Sequence, residues 1–310
     1  EPIRLDPIEV DEPTIAVVFE ASSSPLVGRE GDIVGARQLK ERLMREAESN
    51  ISMVIAELED KSGVSVSGRG VLHLSILMET MRREGFEFQV GRPRVLIKTD
   101  EKGQKLEPFE EATVNVPAEY AGKTIEVFGN AGGEMLDMFQ KNAETHLVFK
   151  IPTQGMMGLR TRLLNATRGE AVLFHHFSEY GRCRGLSAGR KNGSMISMST
   201  ETSVAYALDA LQERGRLFIG PGENCYEGML VGESAKESDM VVNIAKSKHL
   251  TNMRASGADK SIQLTPPITF TLEEALEYIE DDELVEVTPQ SIRMRKRILS
   301  ANDRKKAGRQ

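Results

Sequence analysis

Read only for apolar and polar positions, the chain states one arrangement twice and then changes character. Thr14-Ile-Ala-Val-Val-Phe-Glu20 is a β-branched run closed by an aromatic, which predicts a strand. Ser22–Gly31 is loop by its Ser, Pro and Gly content. Ala36, Leu39, Leu43 and Ala47 recur at helical spacing with Lys40, Glu41, Arg42 and Arg45 mostly turned outward, and Ser49-Asn50 ends that helix. Ile51–Leu58 predicts the next strand, which turns through Asp60–Gly63 into Val64–Val66. Leu74, Leu77, Met78 and Met81 mark a second amphipathic helix that stops at Gly85, and Phe86–Val90 closes the unit. The order β-α-β-β-α-β predicts a ferredoxin-like sandwich, with both helices on one face of an antiparallel sheet.

The same order recurs downstream. Glu107–Pro117 alternates as a half-buried strand, and Glu119–Gly129 makes a short helix with Ile125 and Phe128 inward. Glu134–Phe139 and Thr145–Pro152 pair as a hairpin, Met156, Leu159 and Leu163 line a second helix, and Ala171–Phe177 is the last strand. A repeat of this size predicts two packed domains and not a solenoid.

Beyond the linker-like, basic stretch Ser187–Gly193 the pattern breaks up. After Met195–Met198, the runs Gly228–Gly232, Met240–Ala245, Ile262–Leu264 and Ile268–Thr271 read as short strands, while Val204–Arg214 fits helix or strand. The turn-rich run Phe218–Tyr226 lies among them. Leu272–Tyr278 is a short helix capped by Thr271, with Glu273 and Glu274 favourable to its dipole. Leu284–Thr288 and Ser291–Ile298 finish a small β-rich barrel or sandwich, and Arg304–Arg309 is expected to be a mobile tail. The expectation is therefore an α+β chain: two ferredoxin-like sandwiches, residues 1–92 and 93–186, followed by a mainly β domain, 187–310, with a long basic loop.

That loop, Lys246–Ser261, changes the picture. It has neither helical nor strand period and carries Lys246, Lys248, Arg254 and Lys260 against one acid, Asp259, in a chain of net charge −7. Thr251, Asn252, Ser256 and Ser261 add short donors of the kind that contact phosphate and sugar. It is either a solvated, mobile loop or a finger into nucleic acid. Charge is unevenly spread: acids dominate Glu273–Glu286, while bases dominate 160–191 and the stretch from Arg293 onward, which suggests local contact with a polyanion. Arg160, Arg162 and Arg168, with the exit Arg182–Leu186, form a candidate basic rim, and Arg293, Arg295, Lys296 and Arg297 a second. With 310 residues and 39% apolar composition the chain can build cores. It has no apolar run of membrane-spanning length, and its start, Glu1-Pro-Ile-Arg, reads as the interior of a longer protein. Cys183 and Cys225 have neither metal-ligand nor disulfide-framework spacing, which points to a reducing cytoplasm.

Other chemistry is thin. Gly68 and Gly70 allow a tight turn into a helix whose free N–H groups could hold an anion; a sharp turn and nothing more is the simpler reading. His73, in that helix's first turn, reads as a packing or surface residue. Adjacent strand residues face opposite sides, so His175 and His176 do not readily share a metal. No nucleophile, base and orienter can be placed together, and Asp137 and Glu144 have no identified partner, so the chain reads as a binding module and not an enzyme in its own right.

Specific residues carry a family resemblance. Gly68-Arg-Gly-Val-Leu-His-Leu-Ser75 with Met81–Phe86 resembles the third domain of the elongation-factor-G-type translational GTPases, and Val90-Gly-Arg-Pro-Arg-Val95 is most similar to the BipA/TypA branch. Glu107-Pro108, Val116–Gly122 and Thr161–Gly169 resemble the fifth domain of the same GTPases. The two units follow almost directly here, as in BipA/TypA, whereas elongation factor G has another domain between them. Residues 187–310, the Lys246–Ser261 loop included, are similar to the C-terminal domain of that branch. No Gly-x4-Gly-Lys-Ser/Thr phosphate loop occurs, so the resemblance puts GTP, Mg and their domain upstream of Glu1 and no cofactor or metal in this fragment.

The resemblance implies a cytoplasmic, ribosome-associated monomer that acts in large-subunit assembly and stress-adapted translation. It would bind 50S and 70S particles, rRNA and the tRNA acceptor end, with no membrane contact. The RNA-contacting residues expected are Lys246, Lys248, His249, Asn252, Arg254, Lys260, Arg160, Arg162, Arg168, Arg293, Arg295, Lys296 and Arg297. The alternative is a small-molecule sensor built on paired ferredoxin-like domains, which a deep apolar pocket between them would favour.

Overall fold

A computed structural model of the chain describes residues 12–59, 62–141, 144–185, 189–247 and 262–308. In the first unit β1 (Ile15–Ala21), α1 (Ala36–Ser49), β2 (Val54–Glu57), β3 (Val64–Gly68), α2 (Val71–Arg83) and β4 (Phe88–Gly91) follow in the expected order. Their strands lie β4-β1-β3-β2, every neighbouring pair antiparallel. The alternation of β1 puts Ile15, Val17 and Phe19 into the core, where Phe19 stacks on Phe88 at 5.6 Å between centroids. Leu39 and Leu43 of α1 and Leu74, Leu77, Met78 and Met81 of α2 close over them. Each such burial contributes about 1.5–3 kcal/mol. β2 is shorter than its apolar run because Asn50 Oδ1 accepts from Ser52 N–H at 3.3 Å and Ser52 Oγ at 2.7 Å. That turn holds residues 50–53 out of the sheet.

The second unit passes through the short β5 (Arg94–Val95) and β6 (Lys98–Thr99) into β7 (Lys105–Pro117). It continues with α3 (Ala121–Asn130), β8 (Glu134–Lys141), β9 (Glu144–Pro152), α4 (Thr153–Met156), α5 (Leu159–Ala166) and β10 (Val172–Arg182). The sheet order is β10-β7-β9-β8. One helix was expected over Met156–Leu163. The chain makes two, because Gly158 adopts φ +66°, a left-handed turn that a side chain would resist. Phe128 stacks on Phe149 at 4.1 Å in the core beneath α3 and α5.

The third part departs most from expectation. β11 (Ser194–Ser197), β12 (Glu201–Thr202), α6 (Ala205–Gln212), β13 (Gly215–Leu217), β14 (Asn224–Cys225), β15 (Leu230–Ser234) and β16 (Met240–Val242) come first. They make a mixed sheet β13-β15-β11-β16 and a small β12-β14 ribbon. Then come α7 (Leu272–Tyr278), β17 (Glu283–Val287), β18 (Ile292–Lys296) and α8 (Ala301–Ala307). The β17-β18 hairpin extends the first sheet, with β17 antiparallel to β4, while β18 keeps a bridge to Met229 of the third part. Leu272, Ala275, Leu276 and Ile279 of the α7 region pack into the first unit's core with Val285, Val287 and Met294. Residues 187–310 therefore close no barrel or sandwich of their own among the described residues.

Three local expectations also fail. Ile262–Leu264 and Ile268–Thr271 are not strands. Pro266 and Pro267 between them lack the N–H a ladder needs, and only Ile268 N–H reaches a strand, at Leu217 O, 2.8 Å. The expected mobile tail is helix α8 as far as Ala307. Ser300 Oγ caps it through Asp303 N–H at 3.5 Å, and Arg304 donates to the Ile298 and Leu299 carbonyls.

Candidate nucleic-acid interface

The expected basic residues fall into three groups with different fates. On α5 and the turn after it, Arg160 and Arg168 are exposed and have no side-chain partner among the described residues. Arg168 sits at φ +53°, just past the helix end, and the left-handed turn throws it outward. Arg162 is different. Its guanidinium folds back onto the carbonyls of Gly158 at 3.3 Å, Gly155 at 3.4 Å and Met157 at 3.3 Å, so it braces the α4–α5 turn. Burial lowers its pKa against the opposing pull of Glu277.

The β18 group is largely internal. Arg295 is 1% exposed, its Nε lies 3.1 Å from Glu286 Oε1, and its Nη2 donates to Ser23 Oγ at 2.7 Å and to Gln89. Lys296, 2% exposed, is ringed by Asp239 at 2.6 Å, Asp282 at 2.9 Å and Glu283 at 3.0 Å. Burial opposes its charge, but these acids hold its pKa above the usual lysine value. Arg293 pairs with Glu30 and faces Glu286. The expectation that these three meet phosphate is corrected: each is enclosed by acids of its own chain. Arg297, half-exposed, shares Glu20 at 3.0 Å and remains at the surface.

The loop gives the third group. Lys246 is exposed. Lys248, His249, Asn252, Arg254 and Lys260 lie outside the described residues. Both roots of their segment are gripped by α6. Val204 N–H donates to Ile244 O at 2.9 Å, Gln212 Nε2 donates to Gln263 O at 3.0 Å, and Gln212 Oε1 accepts from Thr265 N–H at 3.0 Å. Sequence reasoning missed Gln212, since a lone glutamine at a helix end gives no such signal.

The histidines behave as strand geometry requires. His175 Nδ1 meets Glu110 Oε2 at 2.6 Å, which raises the imidazole pKa against burial; His176 lies exposed on the other face. No group of three or more His, Cys, Asp or Glu able to hold a metal occurs among the described residues. His73 reaches Asn50 Nδ2 at 3.2 Å, and burial lowers its pKa.

Residues 192–301 match the family described as the TypA/BipA C-terminal domain, and residues 104–191 match the elongation factor G C-terminus. The chain belongs to the TypA/BipA family. It is 44% identical over 307 residues to the large ribosomal subunit assembly factor BipA of Escherichia coli strain K12, covering 98% of this chain and 50% of that protein. The proteins of that name from Haemophilus influenzae and Buchnera aphidicola are also 44% identical, with the same coverage. The chain thus spans about half the length of the curated relatives it matches. The resemblance that Gly68–Ser75, Thr161–Gly169 and residues 187–310 carried is therefore a family relationship. No helix of the described residues is long and apolar enough to cross a membrane.

Proposed function

We propose that this chain is the ribosome-docking half of a translational GTPase that acts in large-subunit assembly and stress-adapted translation. The observation that carries the reading is the 44% identity over nearly the whole chain to proteins named for large-subunit assembly. GTP and Mg belong on a phosphate-loop domain outside this sequence, and hydrolysis is assigned there. Residues 1–92 and 93–186 are two ferredoxin-like sandwiches, a reading supported by the β4-β1-β3-β2 and β10-β7-β9-β8 strand orders. Residues 187–310 are the family-specific third domain. The protein is a cytoplasmic monomer that meets 50S and 70S particles, rRNA and the tRNA acceptor end.

The phosphate-contacting set is Arg160, Arg168, Arg297 and Lys246 with Lys248, His249, Asn252, Arg254 and Lys260. Arg162, Arg293, Arg295 and Lys296 act instead as braces. The sensor alternative is less well supported. A cavity of about 710 Å³ lies between α2, α7 and β18, away from the second sandwich, and its Arg82, Arg293, Glu30 and Glu79 pair with acids or bases of the chain itself.

The test is co-sedimentation with 50S and 70S particles across a salt series, beside a variant with Lys246, Lys248, Arg254 and Lys260 changed to alanine. Wild type should bind, and the variant should bind less with a log–log salt slope shallower by roughly 3, near 0.7–0.9 per lost phosphate contact. Equal binding removes the loop from the interface. No binding by either refutes the claim that this half docks by itself.

A further inference from the structure

Among the described residues the second sheet leaves one edge and one face bare. Its order ends at β8, so one row of that strand's backbone donors and acceptors has no neighbour among them. All eight residues of β8 are exposed, among them Met135, Leu136, Met138 and Phe139 at 46–53%. Met138 stands opposite Leu147 and Met135 opposite Phe149, both fully buried in the core beneath the helices. The hydrophobic core therefore runs out to the sheet edge and stops there uncovered. A bulge between Met135 and Asp137 guards one end, which leaves Asp137–Lys141 as regular, available strand.

The opposite face fixes the charge of what could join. Register places Phe139 beside His146, ring on ring at 4.9 Å, and places Asp137, Val148, Thr113 and Phe174 in one transverse row. Two of its bases are already paired: Lys150 with Glu179, and Arg184 with Glu134 at 3.1 Å. Glu111, Asp137 and Glu144 have no ion-pair partner among the described residues, against two exposed lysines, Lys141 and, towards the far end of β7, Lys105. Beside β8 the balance is Asp137 and Glu144 against Lys141, which disfavours phosphate and a second, like-charged copy of the same strand, and favours a cation-bearing partner.

We propose that β8 is a β-augmentation site for an extended, basic segment of another protein. The segment would lie antiparallel or parallel to Asp137–Lys141. Alternate apolar side chains would cover Met135 and Met138 on the helix side, and the intervening Lys or Arg would reach Asp137 and, one strand further in, Glu144 on the open face. This partner is distinct from the RNA contacts proposed above and does not depend on them.

The test uses the whole chain and a labelled decapeptide of alternating Lys and Val, beside an alternating Glu–Val peptide and a Lys–Val peptide N-methylated on alternate residues. The Lys–Val peptide should bind at least about tenfold tighter than either control and slow amide exchange at Asp137–Lys141. Met138→Lys, at an exposed position, should abolish that binding while leaving the thermal midpoint within about 2 °C of wild type. Binding of the Glu–Val or N-methylated peptide as tight as that of Lys–Val, or protection mapped elsewhere, overturns the proposal. So does absence of binding at about 1 mM, an affinity near −4 kcal/mol. A sedimenting dimer dispersed by Met138→Lys would instead make a second copy the occupant, and displacement of the peptide by an oligouridine would make it RNA.

Discussion

Glu283 is the side chain on which the joint between the third part and the first sheet depends. Its carboxylate, 0% exposed, accepts from Arg190 Nη1 and Nη2 at 2.6 Å each, Ser194 Oγ at 3.2 Å and Glu280 N–H at 2.9 Å, and lies 3.0 Å from Lys296 Nζ. Glu283→Ala would leave two cations facing a void. Removing one member of a buried pair costs about 3–5 kcal/mol. Here each cation keeps something: Lys296 retains Asp239 and Asp282, and Arg190 retains Asn192 O at 2.9 Å. The expected loss is therefore at the low end, about 3 kcal/mol, with Glu283→Gln at roughly half of that. Arg190→Ala should cost about 2–3 kcal/mol, and the double variant should fall short of the sum by at least ~1 kcal/mol, because both substitutions break the same contact. The chain has no Trp, so urea midpoints are best followed by far-UV circular dichroism. The pH dependence has a definite sign. Burial pushes the Glu283 carboxyl up, but Arg190 and Lys296 outweigh it and hold the pKa below the ordinary value. Its stabilisation is then full above the unfolded glutamate pKa of about 4.3 and is lost as pH falls through the lower folded value. The gap between wild type and Glu283→Gln should accordingly narrow below roughly pH 4. Strict additivity of the two alanine variants, or a loss under about 1 kcal/mol for Glu283→Ala, refutes this account.

Two further outcomes follow from local geometry. Glu110 raises the His175 pKa, so its small contribution to stability is present below about pH 6.5 and disappears as pH rises through the folded value; an NMR titration should find that value above 6.5, and Glu110→Gln should return it towards normal. Gly228 has φ +90°, and a Cβ there would stand 2.7 Å from Leu299 Cα and 2.9 Å from Leu299 O. Gly228→Ala should cost about 2–4 kcal/mol in chemical denaturation, and a near-neutral result would mean that the 228–299 contact yields easily.

The first two units were legible because their periods contrast cleanly. Ile15, Val17 and Phe19 alternate, while Leu39 and Leu43 recur at helical spacing, and nothing in the tertiary structure overrides either. The third part was legible in pieces but not in assembly. Ile268–Thr271 has strand composition, yet the prolines before it deny the ladder, a rule readable from sequence and outweighed there by the apolar run. The basic residues of β18 misled for a different reason. Arg293 and Lys296 look like a solvent-facing stripe until β17 is laid beside them, when register sets Glu286 against Arg293 and Glu283 against Lys296. That complementary pattern across a four-residue turn was a usable hairpin signal. What it could not reveal is that the far side of β17 pairs with β4, nearly 200 residues upstream, and that this pairing turns surface charges into buried ones.

This hairpin also bears on how the proposed RNA contacts are positioned. β17 is hydrogen-bonded into the first sheet, and its Glu283 grips Arg190 in the link from the second unit. Asp239, one residue before β16, accepts from Ser194 N–H at 2.8 Å and pairs with Lys296 of β18. From β16 the chain runs to Ile244, 0% exposed and bonded to the start of α6; from the other side Thr265 and Gln263 bond to Gln212 at the end of α6. The two ends of the basic segment are thus set by one helix, and that part is referenced through buried ion pairs to the first sheet. A loop hung from the second unit or from a free-standing barrel could sweep independently of the first unit. This one cannot move its roots without breaking Glu283, Asp239 and Lys296 contacts inside the protein. The internal ion pairs that remove Arg295 and Lys296 from the surface are, by the same geometry, what would hold Lys246 and the roots of the basic segment in place.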